Sequence, residues 1–243
     1  MLVKTRGIVL RAKKYSESSL IVDVYTEALG RRSYIISGVR KKNARVSASL
    51  LQVMSIIDLV VYHREDKTLT RMKEVRSEII YQELPFNTLK QAVGLFMIEI
   101  AGKTIRETEE NPRLFQFLYD SFLYLDRTHK PVANLHLHFM LHLTTHLGFL
   151  PGGEATPETP VFDLAEGNFV ADSASHKYDV APGLSEHMSQ LLLLSRTEAH
   201  QVDMTRSERR QLLRRLLDFY RLHIDQFPDI NTHTILESVL SGE

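Results

Sequence analysis

Over the first eighty residues, apolar and polar side chains alternate in short runs with the two-residue period of half-buried strands. Gly7-Ile8-Val9-Leu10 follows a polar alternation and opens the pattern. Ser19-Leu20-Ile21-Val22-Asp23-Val24-Tyr25-Thr26 continues it with β-branched and aromatic residues, which favour strands. Gly30 punctuates a turn, Ser33 to Ser37 makes a third strand, and Gly38 closes it. A polar, basic loop over 39–49 precedes a fourth strand at 53–62, and the Arg64-Glu65-Asp66-Lys67 turn leads to a fifth at 69–75. Five short strands and one long loop suit a small barrel of the OB type. An SH3-like barrel fits the same pattern equally well.

Beyond Pro85 the period changes. Leu89, Val93, Phe96, Met97, Ile100 and Ile105 recur every three or four residues, as on one face of a helix. A second helix starts at Asn111-Pro112, where the missing N–H of proline costs nothing, and carries Leu114, Phe117, Leu118, Phe122 and Leu125 on one side. A third spans 132–147 and stops at Gly148. Residues 151–160, rich in Pro, Gly and Thr, form a loop that opens a small irregular or hairpin insertion over about 151–182. Helices resume at 185–199, 207–224 and 232–240, with Thr205 placed to cap the second. The pattern predicts an α+β chain: a five-stranded barrel domain at 1–82, then a mainly helical domain at 83–243.

Composition narrows the class. Hydrophobic residues at 43% and charged residues at 25% describe a globular protein. The longest apolar runs, 54–61 and 191–194, fall far short of the roughly 20 residues of a membrane span. The opening Met-Leu-Val-Lys-Thr-Arg-Gly lacks the apolar core of a signal peptide, so a cytoplasmic location is expected. With no cysteine, the chain has no disulfide, thiolate zinc site or cysteine nucleophile.

The net charge of zero conceals an asymmetry. Residues 1–82 hold sixteen Lys or Arg against eight Asp or Glu, and the remainder holds fourteen against 22. A basic half of this kind points to a polyanion. The candidate contacts are Arg6, Arg11, Lys13 and Lys14 on the first strand, Arg31 and Arg32 at the second turn, and Arg40, Lys41, Lys42 and Arg45 in the long loop. Lys and Arg that neutralise phosphates release condensed counterions. Tyr15, flanked by Lys14 and Ser16, is placed to stack on bases, whereas Tyr25 and Tyr34 suit the barrel core better. Within the acidic half, Arg206, Arg210 and Arg214 share one helix face, either as a solvated surface or as a dock for an acidic peptide tail or for more nucleic acid.

Enzyme signatures are missing. There is no phosphate-binding GxxxxGK[ST] loop, no GxGxxG and no G-x-S-x-G elbow. His138, His142 and His146 recur at four-residue spacing, which can serve zinc, but no H-E-x-x-H accompanies them and core packing explains them better.

Several ordered segments resemble the RecO family of DNA repair proteins. They are Thr5-Arg6-Gly7-Ile8-Val9-Leu10, Tyr15-Ser16-Glu17 through Val22, Tyr25-Thr26-Glu27 with Gly30, and Gly38-Val39-Arg40-Lys41-Lys42; Leu114 to Leu118 and Leu147-Gly148-Phe149-Leu150-Pro151 fit as well. The resemblance spans essentially the whole chain. It implies an OB barrel followed by a helical domain that holds single- and double-stranded DNA and anneals complementary strands. It also implies loading of the RecA recombinase onto DNA coated by single-strand-binding protein. Partners implied are RecR and the acidic tail of single-strand-binding protein, at the nucleoid, without cofactor or membrane. Some members hold zinc with four cysteines in the insertion. The corresponding stretch here has none, which predicts a zinc-free insertion held by packing and hydrogen bonds. A basic barrel serving only as a protein-interaction module, and a metal-dependent hydrolase built on the histidines, are the competing readings.

Overall fold

The computed structural model describes residues 1–39, 47–64, 66–172 and 177–241. Strand β1, Leu2–Lys14, is far longer than its apolar core. It serves two neighbours: its first half pairs antiparallel with β4, Ile56–Tyr62, and its second with β2, Leu20–Thr26. The register shift between Val9 and Arg11 marks a bulge at the hand-over, and a bulged strand bends as barrel closure requires. β2 pairs with β3, Gly30–Ile36, and a parallel pairing of β3 with β5, Leu69–Ser77, closes the order β1-β2-β3-β5-β4. This is the OB arrangement, and it decides between the two barrels that periodicity left open. Val9, Val22, Val24, Tyr34, Ile36, Leu59, Val61 and Met72 fill the interior. The fourth strand starts at Ile56 instead of 53, because Met54 takes a left-handed turn at φ 75°.

The helices are α1 (Thr88–Thr104), α2 (Pro112–Arg127), α3 (Leu135–Leu147), α4 (Pro182–Leu193), α5 (Arg206–His223) and α6 (Thr232–Ser241). By packing, the chain divides into one unit of 1–86 with 105–127 and another of 87–104 with 128–243, so α2 belongs with the barrel. Asn111 caps α2 by accepting from Leu114 N at 3.1 Å. Phe115 of α2 stacks on Tyr25, with ring centroids 6.5 Å apart. At the far end of α2, the buried Asp126 carboxylate accepts backbone N–H groups from Gln82, Glu83 and Leu84. The incoming loop meets the barrel at Gly30, whose φ is +62°; Arg31 N donates to Glu107 O at 3.0 Å.

In the other unit, Asn134 donates to Ala199 O and Val202 O, and Tyr220 Oη donates to Met140 O at 2.7 Å. The expected helix at 185–199 is instead Pro182–Leu193, because Pro182 fits the first turn and Glu198 accepts Ser195 N and Oγ in a separate turn. α5 begins under a capping box: Thr205 Oγ1 accepts Glu208 N, and the Glu208 carboxylate accepts Thr205 N. The insertion folds as a small sheet of β6 (Val161–Asp163), β7 (Asn168–Val170) and β8 (Asp179–Val180), in the order β7-β6-β8. It is stapled by rings. Phe162 meets Phe169 at 4.9 Å and Phe219 at 5.6 Å, Phe149 stacks on His223 at 5.4 Å, and His223 Nε2 is 2.9 Å from Leu164 O.

The spaced histidines join this packing. His138 and His142 stack at 4.0 Å, and their Nε2 atoms meet Leu194 O and Leu191 O at the end of α4. No group of three or more His, Asp or Glu is gathered for a metal among the described residues. Burial pushes His136 and His138 down to about 3, and lowers His142 as well.

Two predictions follow from this packing. A Cβ at residue 30 would lie 2.1 Å from Glu109 O, so Gly30→Ala should lower urea-unfolding stability by about 1–3 kcal/mol. The second concerns pH. Unfolded histidines bind protons below about pH 6.5, while His136 and His138 stay neutral until about 3. Stability is therefore full above that upper limit and falls as pH drops through the window, by up to about 1.4 kcal/mol per pH unit for each buried histidine. Urea titrations at pH 7.5 and 5 measure it.

Candidate nucleic-acid interface

Barrel register determines which side chains share the outer surface. Lys13 pairs with Ile21, Ile21 with Ile35, and Ile35 with Arg71, so four strands contribute one row. Val22, Tyr34 and Met72 beside them point into the core, which leaves the row outward. It spans three strand spacings, about 14 Å. Ile21 and Ile35 are half-buried in the middle, and exposed Lys13 and Arg71 stand at the ends. The next outward row is Arg11, Asp23, Ser33 and Leu69. Asp23 is only 4% exposed and is answered on both sides: Arg11 Nη2 lies 2.6 Å away, and Ser33 Oγ donates at 2.6 Å. The acid is thereby neutralised beneath a surface that remains cationic.

Tyr15 lies at the turn between β1 and β2, 61% exposed, beside exposed Lys14. Its backbone N–H donates to Ser19 O at 3.0 Å, which fixes the turn that presents the ring. The face thus combines cations, a free aromatic ring and an apolar floor, the elements that track a single strand by phosphate neutralisation and base stacking.

The sequence-predicted residues do not all join it. Arg6 makes a bidentate ion pair with Glu27, at 2.6 and 2.9 Å, and its guanidinium lies over the rings of Phe115 and Tyr119 at 5.4 and 5.1 Å. The pairing raises the Arg6 pKa and holds Glu27 below the usual carboxylate range. Arg31 donates through Nη1 to Ile105 O at 2.6 Å, where burial lowers its pKa. Arg32 pairs across from Val24 and shares its inward side, with a buried Nε that has no hydrogen-bond partner among the described residues. Tyr34 lies in the core as expected; Tyr25 is fully buried too, but on the outer surface beneath α2. Arg40, Lys41, Lys42 and Arg45 lie outside the described residues. Arg71 was missed by the sequence reading, since a lone cation in a strand of mixed charge carries no signal until the β3–β5 register is known.

A separate basic row lies on α5. Arg210 Nε and Arg214 Nη2 both stand 3.8 Å from one Glu237 oxygen, and Arg206, Arg209 and Arg210 line a small cavity with His136.

Comparison with known proteins agrees with this architecture. Residues 1–80 match the family model described as Recombination protein O N terminal, and residues 86–229 match Recombination protein O C terminal. Curated relatives named DNA repair protein RecO include that of Bacteroides fragilis, 33% identical over 240 residues, covering 98% of this chain and 99% of the relative. The one from Phocaeicola vulgatus is 32% identical over 241 residues, covering 99% and 100%. That of Christiangramia forsetii is 33% identical over 240 residues, covering 98% and 99%.

The geometry separates two kinds of arginine. Arg6→Ala leaves Glu27 unpaired and strips a cation from two rings, so it should cost about 1–3 kcal/mol of stability. Lys13→Ala removes only an exposed charge and should stay within about 0.5 kcal/mol of wild type. Chemical denaturation of the two variants side by side is the check.

Proposed function

Because this chain belongs to the RecO family of DNA repair proteins, we propose that it is a non-enzymatic recombination mediator that holds single- and double-stranded DNA, anneals complementary strands and helps load the RecA recombinase. The observation that carries the reading is the row Lys13, Ile21, Ile35 and Arg71, flanked by Arg11, Lys14 and Tyr15. Cations at its two ends neutralise phosphates, and the apolar floor with Tyr15 receives bases. Arg40, Lys41, Lys42 and Arg45, outside the described residues, add four positive charges to the same stretch of sequence.

Two strands that approach such a surface repel each other less, so their bases pair without a catalytic residue, a nucleotide or a metal. Annealing is then electrostatic screening by a protein surface. On the helical unit, Arg206, Arg210 and Arg214 suit the acidic tail of single-strand-binding protein, which brings the mediator to coated DNA. RecR is the partner in this reading, RecA is engaged indirectly, and the setting is the nucleoid in the cytoplasm. No helix among the described residues is long and apolar enough to cross a membrane.

Fluorescence anisotropy of labelled single-stranded DNA across a salt series tests the proposal. Wild type should weaken steeply with salt, each phosphate contact contributing roughly −0.7 to the log–log slope. Lys13→Ala with Arg71→Ala should flatten the slope by about 1.4, two contacts' worth, with Tm unchanged. Replacing Arg40, Lys41, Lys42 and Arg45 by alanine should flatten it further. A wild type that does not bind would assign the basic barrel to a protein partner and end the mediator reading.

A further inference from the structure

The last helix lies against the arginine row in a telling way. Glu237 of α6 faces both Arg210 and Arg214, each at 3.8 Å. One turn apart, Leu236 is completely buried, while Leu240 lines a cavity of about 20 Å³ together with His136, Leu213 and the arginines. His136 is itself buried, and its Nδ1 has no hydrogen-bond partner among the described residues. α6 therefore brings a carboxylate and leucines to a surface of arginines and apolar side chains. The chemistry that this surface accepts is visible in what already covers it.

We propose that α6 is an internal strap, occupying on α5 the seat of an acidic, leucine-rich peptide from a partner, which must displace the strap to bind. The inference rests on the reading that the arginine row receives an acidic peptide.

The way α6 is attached fits a strap. At its N-terminal end the Glu99 carboxylate of α1 accepts Asn231 N at 3.1 Å, Thr232 N at 2.8 Å and Thr232 Oγ1 at 2.5 Å, and along its length α6 packs against α1 with Leu236 buried. Lys103 completes the latch by pairing with Glu99 at 2.6 Å and donating to Asp229 O. The contacts of Glu237 to Arg210 and Arg214 are longer than those of the latch. A ten-residue helix does not persist alone in water, so α6 keeps its form only while it packs on its neighbours, and weakening the latch lowers the cost of leaving them. The match to the family's C-terminal model ends at residue 229, before α6 begins.

The experiment uses the full chain and a fluorescein-labelled nonapeptide of alternating Asp and Leu, with hydrogen exchange of residues 232–241 as a second readout. Glu99→Gln weakens the latch, and a chain ending at residue 229 removes the strap altogether. If the strap competes, both variants bind the peptide more tightly than wild type, by roughly ten-fold for the truncated chain, since the competent state is no longer a minor one. Saturating peptide also speeds exchange across α6 in wild type, and Arg210→Ala with Arg214→Ala abolishes binding in every background. If the truncated chain and wild type bind the peptide equally, α6 is not in the seat and the strap is overturned, while the docking reading stands. If neither binds, the arginine row is no peptide site, and the docking reading fails with the strap.

Discussion

The N-terminal unit turns on the contact among Arg6, Glu27 and the rings of Phe115 and Tyr119. Barrels of this size bury little surface for their length, and the outer side of β1 and β2 carries Ile8 and Tyr25, both fully buried. Something must cover them. α2 covers Tyr25 with Phe115, and the Arg6 guanidinium plane, hydrogen-bonded twice to Glu27, lies over the rings of Phe115 and Tyr119. A lysine could neutralise Glu27 but could not present that plane. The same unit is also held at Gly30, where a Cβ would meet Glu109 O, and at Asp126, which accepts backbone N–H groups from Gln82, Glu83 and Leu84.

With Arg6 and Arg31 engaged in the fold and Arg32 turned to the inward side of its strand, the cationic surface is narrower than the composition of the first 82 residues suggests. It is also better ordered. Asp23 sits under Arg11 and Ser33, so that one acid fixes the position of a cation at the surface. The half-buried isoleucines keep the centre of the row free of charge. The row therefore presents charge at its margins and carbon in its middle.

Strand and helix type were legible because periodicity is local, whereas partners were not. The alternation around Gly7-Ile8-Val9-Leu10 announces a strand, but its thirteen-residue length follows from pairing with two neighbours at once. Arg6 and Lys13 look alike in sequence; only the fold sets Glu27 against the first and leaves the second exposed. Leu114, Leu118, Phe122 and Leu125 foretold the helix α2, yet nothing in that spacing says that it packs with the barrel. The capping box at Thr205 and Glu208 was readable as a start signal, because both partners lie within four residues. Glu99 and Thr232 are 133 residues apart, and no local rule connects them.

The insertion over β6 to β8 bears on how the protein meets its surroundings. Phe149, Phe162, Phe169, Phe219 and His223 close it by ring packing. An oxidant has no thiolate to attack there. What the segment does inherit is the temperature dependence of apolar burial, which weakens on cooling. The closure of this segment is therefore tied to temperature and not to thiol chemistry.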